Sequence, residues 1–290
     1  MIGVLTKVIG MVPRLNFGFR QHTVGDPAAV VGDDVAVRLT GVGVTYGEVD
    51  ALADIDLDIR RGEITAVIGP NGSGKSTLLS VISGLVRPTR GRVTIDRTRR
   101  HPVAHVLQST VPNESVPLTV LETVRMGAYA RRGSFGRLTA ADRTVIQDAI
   151  DRMRIDDLLH RQLHELSGGQ RQRAYVAQGL AERADVLLLD EPITGLDLVT
   201  QEVVSEVLRE ERDRGRAVVV TTHDVGTARA ADTVVLMATR IVATGPPTVA
   251  LTPEILAETY GGHVHVLDDG TLVLDEPHHH DHRHDDQLRG

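Results

Sequence analysis

A nine-residue segment, GPNGSGKST, lies between a β-branched run and a stretch with the apolar spacing of a helix. Its glycines let consecutive backbone N–H groups turn towards one anion, and the N-terminus of the following helix adds partial positive charge. Lys75 is placed to reach the β- and γ-phosphates of a nucleotide, and the Ser76 hydroxyl to hold Mg²⁺. The residues predicted to form this site are Gly69, Pro70, Asn71, Gly72, Ser73, Gly74, Lys75, Ser76 and Thr77.

A second segment places two carboxylates at the end of an apolar run. Leucines at 187–189 are followed by Asp190 and Glu191. A carboxylate at a strand tip can hold Mg²⁺ through its water shell, a role that suits Asp190. Glu191 is predicted to polarise an attacking water, a general-base role worth about 10²–10⁴-fold in rate. Taken alone, the pair could be solvated acids that cap a strand, but the upstream phosphate loop favours the catalytic interpretation.

The segments around these residues alternate between strand and helix patterns. The strand patterns are 35–39, 43–46, 55–59, 64–68, 186–189 and 217–222. Arg61-Gly62 has the composition of a hairpin turn. This alternation predicts an α/β fold with a mostly parallel sheet and helices on its faces.

A mostly helical insertion is predicted over about residues 109–165. The sequence at 119–122 has the pattern of a capping box, which begins a helix. Residues 140–153 have helical apolar spacing, and 154–164 continue in the same manner. A second capping box, at 167–170, begins the next helix.

The chain divides into four expected regions. These are a leader without predicted order at 1–32, a nucleotide-binding domain at 33–250, a helix and hairpin at 251–275, and a tail rich in His and Asp at 276–290. Asp269-Gly270 between two short apolar runs is the hairpin signal.

Residues 166–170 read LSGGQ, which matches the signature motif of ATP-binding cassette (ABC) proteins. With the order of the other motifs, the chain resembles the ATPase subunit of an ABC transporter over roughly 33–274. The resemblance implies a P-loop NTPase core with an N-terminal antiparallel β subdomain and a helical insertion subdomain. It also implies ATP and Mg²⁺ as cofactors, and ATP hydrolysis coupled to transport.

The resemblance assigns roles to four residues outside the two segments described first. It implies that Tyr46 stacks on adenine and that Gln108 contacts Mg²⁺ and the attacking water. It places Asp197 in the D-loop and makes His223 the histidine that contacts the γ-phosphate. Relatives often have proline before that glutamine, whereas this chain has Leu107.

The signature motif has a physical interpretation of its own. It begins a helix and forms a second anion-binding N-terminus, with Ser167, Gly168, Gly169 and Gln170. Two such termini would be redundant if both served one nucleotide within one chain. The resemblance implies that two chains sandwich two ATP molecules, so that the signature of one chain faces Lys75 of the other. The partner is expected to be a second copy, or a homologous chain.

Composition limits the class of protein. The 290 residues carry a net charge of −7 and only 2% aromatic residues, which argues against nucleic acid as a partner. The chain has no cysteine, which excludes disulfides and thiolate metal ligands. No stretch reaches the roughly 18 uninterrupted apolar residues of a membrane span. For a chain without such a span, the resemblance to ABC transporter ATPase subunits implies a peripheral protein at the cytoplasmic face of the membrane. It also implies separate permease subunits as partners and, indirectly, a solute-binding protein.

The C-terminal tail has a metal-binding composition. Its histidines are His278, His279, His280, His282 and His284. Mostly neutral imidazoles bind zinc, nickel or copper, and the interleaved carboxylates suit manganese. An unliganded solvated tail and a purification tag are the alternatives.

The cargo is predicted from a second resemblance. Residues 117–120 and 125–129, with Tyr260 and two glycines before the His-rich end, are similar to ATPase subunits of zinc and manganese importers. The resulting prediction is uptake of a divalent metal. Iron-siderophore or other solute transport, export, and a non-transport ABC protein are the alternatives.

Overall fold

The computed structural model of the chain describes residues 34–96, 102–107, 117–132 and 137–260, and the backbone of 264–266 and 272–274. The predicted leader, Gln108 and the His-rich tail lie outside the described residues. Their predictions are therefore not tested by the fold.

Eleven strands and eight helices make up the described part of the chain. The strands are β1 (Val35–Tyr46), β2 (Val49–Arg60), β3 (Ile64–Ile68), β4 (Arg90–Ile95), β5 (Val103–Val106), β6 (Val186–Leu189), β7 (Ala217–Thr222), β8 (Thr233–Ala238), β9 (Arg240–Gly245), β10 (Val264–Val266) and β11 (Leu272–Leu274). The helices are α1 (Lys75–Ile82), α2 (Val120–Arg132), α3 (Ala140–Met153), α4 (Gly168–Glu182), α5 (Leu198–Asp213), α6 (Val225–Arg229), α7 (Pro247–Ala250) and α8 (Pro253–Thr259).

A six-stranded sheet forms the centre of the fold, in the order β5-β6-β7-β3-β8-β9. The strands from β5 to β8 are parallel, and β9 returns antiparallel to β8. Every residue of β3, β6 and β7 is buried, as expected for apolar strands covered on both faces. The predicted α/β fold with a mostly parallel sheet is confirmed.

A second, antiparallel sheet has three strands in the order β2-β1-β4. The prediction of a hairpin at Arg61-Gly62 is wrong, because β3 pairs with β7 and β8 rather than with β2. Gly62 has φ of +67°, and its N–H donates to the carbonyl of Arg216 at 3.0 Å. The turn therefore carries the chain from one sheet to the other. The hairpin lies one connection earlier, between β1 and β2.

The helical insertion contains α2 and α3, which contact each other and pack against α4. A Cβ atom at Gly127 on α2 would lie 2.1 Å from the Gln178 carbonyl oxygen on α4, so only glycine permits this close approach. The prediction that 154–164 continues the helix is wrong. Arg154 has φ of +52° and ends α3, and the segment instead contains two 3₁₀ turns, Asp156–Leu158 and Leu163–Glu165.

The two faces of the central sheet pack against different layers. Leu187 and Leu189 of β6 belong to a core shared with α4, α5 and the helical insertion. Val186 and Leu188 point to the opposite face and join a core formed with α1 and the antiparallel sheet. Among the described residues, none of the helices has the length and apolar character to span a bilayer.

Candidate nucleotide site

The predicted chemical groups meet at one edge of the central sheet. Parallel strands end on the same side, and β6, β7 and β3 are consecutive neighbours about 4.8 Å apart. Leu189 pairs with Val220, and Ile68 pairs with Thr222. The phosphate loop after β3, the acidic pair after β6 and the histidine after β7 therefore share one edge.

The phosphate loop follows β3 and requires glycine at two positions. A Cβ atom at Gly69 would lie 2.1 Å from the carbonyl oxygen of Met237, and one at Gly74 would lie 2.4 Å from that of Ala51. Gly74 is also the N-cap of α1, with φ of +96° and no side-chain cap. Among the residues that the structure describes, no side chain caps this helix N-terminus, which is the arrangement of an anion-binding site.

The charged and hydroxyl side chains of the loop differ in exposure. Lys75 is only 7% exposed, and its Nζ donates to the carbonyl oxygens of Gly69 at 2.7 Å and Pro70 at 3.0 Å. The Oγ of Ser73 is buried and has no hydrogen-bond partner among the described residues. Ser76 is exposed in the first turn of α1. A buried cation and an unpaired buried hydroxyl fit a site that receives phosphate oxygens.

A residue that sequence reasoning missed holds the loop in place. The N–H of Thr239, between β8 and β9, donates to the Ser73 carbonyl at 2.9 Å. Its own carbonyl accepts from the N–H of Ala53 in β2 at 2.9 Å. The sequence carries no signal for this bridge, because threonine is uncommon at the positive φ of 65° that it adopts here.

The acidic pair lies at the end of β6. Asp190 is 7% exposed and accepts a hydrogen bond from the Thr221 hydroxyl at 2.5 Å. The N–H of Glu191 donates to that same hydroxyl oxygen at 2.9 Å. Oε1 of Glu191 lies 3.7 Å from Nδ1 of His223, whose side chain is 43% exposed. The two residues predicted to act on water and on phosphate are thus neighbours at the open edge.

The signature segment, which is the motif at residues 166–170, begins α4 and so provides a second helix N-terminus. The Ser167 Oγ accepts from the Gln170 N–H at 3.2 Å, and the Ser167 N–H donates to Gln170 Oε1 at 3.1 Å, which confirms the predicted capping box. Ser167 and Gly168 are exposed, and a Cβ atom at Gly168 would meet nothing within 4 Å. The start of α4 is therefore accessible from outside the chain.

The signature segment also contacts the D-loop residue. A Cβ atom at Gly169 would lie 2.8 Å from Thr200 Oγ1 and 3.0 Å from Asp197 Oδ2. Asp197 is the N-cap of α5 and accepts from the Thr200 N–H at 2.9 Å. That bond and a second one from the Thr200 hydroxyl lower the pKa of Asp197. The starts of α4 and α5 are therefore packed together through a glycine.

The remaining predicted residues are less well defined. Tyr46 ends β1 with 53% of its surface exposed, so its ring is available for stacking. Gln108 and the tail histidines are outside the described residues. Within the described ranges, no cluster of three or more His, Asp or Glu side chains could hold a metal ion.

The fold and this edge of the sheet define an ABC-type ATPase, a nucleotide-binding enzyme that hydrolyses ATP for a transporter. The family model described as ABC transporter matches residues 52–194. Relatives that are 36% identical to this chain match about four fifths of it. The chain belongs to the ABC transporter family, as one of its ATP-binding proteins.

Three comparisons illustrate the likeness. The manganese transport system ATP-binding protein MntB of Bacillus subtilis is 36% identical over 242 residues, 82% of this chain and 97% of the relative. The zinc transport system ATP-binding protein TroB of Treponema pallidum is 36% identical over 235 residues, 79% of this chain and 88% of the relative. The dimeric structure of a bacterial ABC transporter cassette has 27% identity and a TM-score of 0.62, covering 73% of this chain and 98% of that one.

Proposed function

We propose that this chain is the ATP-hydrolysing subunit of an importer for a divalent metal ion, manganese or zinc. The observation that carries this proposal is the likeness to relatives named for manganese and zinc transport, at 36% identity over about four fifths of the chain. The nucleotide site alone would not indicate a cargo, because it acts only on ATP. The cargo is therefore inferred from likeness over the whole chain.

The phosphate loop binds the triphosphate. The backbone amides of residues 69–77 and the N-terminus of α1 surround the phosphate oxygens, and Lys75 supplies the cation that neutralises them. Lys75 Nζ already lies within 3.0 Å of two loop carbonyls, so binding needs only a small movement of its head group. The exposed ring of Tyr46 stacks on the adenine.

The residues present fit a magnesium ion bound with ATP. Mg²⁺ takes hard oxygen ligands, and the Asp190 carboxylate is held at the end of β6 by one described hydrogen bond to Oδ1. The Ser76 hydroxyl is exposed in the first turn of α1 and is also a hard oxygen ligand. Asp190, Ser76 and Gln108 would hold the ion, which when bound neutralises the charge developing on the phosphate oxygens.

Glu191 and His223 act at the γ-phosphate. Oε1 of Glu191 accepts a proton from the attacking water as the water oxygen approaches phosphorus. His223, whose Nδ1 lies 3.7 Å from Oε1 of Glu191, contacts the γ-phosphate oxygens. Lys75 stabilises the same oxygens as their charge increases. The bond between the γ-phosphorus and the oxygen that bridges the β- and γ-phosphates then breaks. That oxygen stays with ADP, and phosphate and ADP are released.

A second copy of the chain completes the site. The exposed N-terminus of α4, with Ser167, is available to a nucleotide held by another chain. A solved cassette similar to this chain is dimeric. We infer that ATP is bound between the phosphate loop of one chain and the signature segment of its partner, so that ATP binding closes the dimer and hydrolysis opens it.

The transporter supplies the remaining partners. We infer that permease subunits form the pathway and are the direct partners, and that a solute-binding protein acts upstream of them. The first inference is supported by the names of the relatives, which are ATP-binding proteins of transport systems. We infer that the chain works at the cytoplasmic face of the membrane. The helical insertion between β5 and β6 is the segment that contacts the permease.

Uptake by the assembled transporter tests the cargo. The chain is purified with its permease in proteoliposomes, with ATP inside and the solute-binding protein outside. The proposal expects ATP-dependent accumulation of radiolabelled manganese or zinc that stops with Glu191→Gln. Accumulation of an iron-siderophore complex without uptake of either metal ion would replace the metal proposal while leaving the ATPase assignment intact.

The His-rich tail is a separate prediction. Calorimetry on a peptide of residues 276–290 is expected to show binding of zinc, with Asp281 and the neighbouring carboxylates adding affinity for manganese. A peptide in which the five tail histidines are replaced by asparagine is the matched control. Equal heats from both peptides would remove the tail from the metal hypothesis.

A further inference from the structure

One buried hydroxyl contacts both members of the acidic pair. Thr221 lies in β7, is 0% exposed, and sits beside the end of β6 because Val220 pairs with Leu189. Its Oγ1 donates to Asp190 Oδ1 at 2.5 Å and accepts from the Glu191 N–H at 2.9 Å.

The direction of these two hydrogen bonds is fixed by chemistry. An ionised carboxylate can only accept hydrogen bonds, so the Thr221 hydroxyl is the donor in its hydrogen bond with Asp190. The oxygen lone pairs then remain for the N–H of Glu191. The hydroxyl therefore donates to one residue and accepts from the next. The valine side chains that precede Thr221 in β7 could form neither hydrogen bond.

The backbone at Glu191 needs such a contact. Its φ is +48°, in a region that residues with a side chain rarely adopt. That conformation turns the chain sharply after Asp190. Glu191 is held there partly through its N–H, because the acceptor belongs to the neighbouring strand.

We propose that Thr221 is a positioning residue for ATP hydrolysis. It orients the Asp190 carboxylate and the Glu191 backbone together, without reaching the nucleotide itself, since its side chain is fully buried. This proposal rests on the roles given to Asp190 and Glu191 above. It adds to the site a residue that lies outside the segment containing Asp190 and Glu191.

A purely structural role makes a different prediction from a positioning role. Valine has the shape of threonine, and residues Val218, Val219 and Val220 show that this strand accepts it. If Thr221 only fills space, Thr221→Val leaves turnover unchanged. If it positions the acids, the same change leaves the fold in place but removes the shared hydrogen bonds, and turnover falls.

Steady-state ATPase kinetics of the full chain separate these possibilities. Thr221→Val is expected to lower kcat by about 10- to 100-fold, while Thr221→Ser keeps kcat and both variants keep KM for ATP within about threefold. The matched control is Thr65→Val, a threonine of β3 that is 1% exposed and has no described bond to either acid. It is expected to stay within about threefold of the parent in kcat.

Two results would overturn the positioning role: a Thr221→Val protein with kcat within about threefold of the parent, or a Thr221→Ser protein as slow as Thr221→Val. If the valine variant does not fold, Thr221→Ala takes its place under the same limits. Absence of ATP turnover in the parent, even with its permease present, would contradict the proposed function, and is thus distinguishable from failure of the variants.

Discussion

Oε1 of Glu191 lies 3.7 Å from Nδ1 of His223, and the two side chains come from the ends of adjacent strands. Both have exposed surface at the edge of the sheet where the phosphate loop begins. In the proposed mechanism, the glutamate accepts a proton from water and the histidine contacts the γ-phosphate, so this short separation suits both roles. The relationship makes the pair the most direct target for mutation.

Glu191→Gln is expected to bind ATP normally and to lose turnover by about 10²–10⁴-fold, because the amide cannot accept the proton of water. The ATP-bound dimer then accumulates, since hydrolysis no longer opens it. ATPase assays and light scattering with Mg²⁺ and ATP measure the two effects. Glu202→Gln, an exposed carboxylate on α5, is the matched control. Normal turnover in Glu191→Gln would remove this residue as the base.

Lys75→Ala is expected to weaken ATP binding by at least about tenfold, because a desolvated phosphate loses its charged donor. The affinity is measured with a fluorescent ATP analogue in the absence of turnover. Arg209→Ala removes a positive charge from an exposed position and should leave the affinity unchanged. Equal affinities of Lys75→Ala and the parent would contradict the location of the phosphate site.

Buried ion pairs join helix α3 of the helical insertion to α5 of the core. Glu211 on α5 is fully buried and pairs with Arg152 of α3 at 2.7 Å, Arg214 at 3.0 Å, and Arg216. Glu211→Ala leaves these arginines without their shared carboxylate and is expected to lower the free energy of unfolding by about 3–5 kcal/mol. Urea unfolding measures the loss. Glu202→Ala on the same helix is the control, and a loss equal to that of the control would show that the cluster does not stabilise the fold.

Acid should loosen the contact between α2 and α3. Burial raises the pKa of Asp142, but hydrogen bonds from Thr139 and Arg132 and the charge of Arg131 outweigh it and lower that pKa to about 2. A folded-state pKa below the unfolded value means that the stabilisation is complete above about pH 4 and is lost as pH falls towards 2. The contribution is on the order of 2 kcal/mol.

Unfolding measured between pH 5 and 2 tests this assignment. The parent should lose stability over this range more steeply than Asp142→Asn, which carries no titrating group at that position. Asp148→Asn, a half-exposed carboxylate on the same helix, is the matched control. Parallel pH profiles of the parent and Asp142→Asn would contradict the role of this carboxylate.

The sequence predicted the parts of the site that depend on local pattern. The phosphate loop, the capping box at Ser167 and the acidic strand end are each contained in a few consecutive residues. Thr221 and Thr239 were missed because their roles depend on which strands become neighbours. The hairpin at Arg61-Gly62 was predicted wrongly for the same reason, since turn composition does not state which sheet the next strand joins.

The bridge through Thr239 has a consequence for nucleotide affinity. Because this residue joins Ser73 to Ala53, the loop is anchored to both the parallel and the antiparallel sheet before any ligand arrives. The conformational entropy lost in shaping the cradle is thus incurred when the protein folds. An incoming triphosphate meets a preorganised receptor, and little of its binding energy is consumed in ordering it.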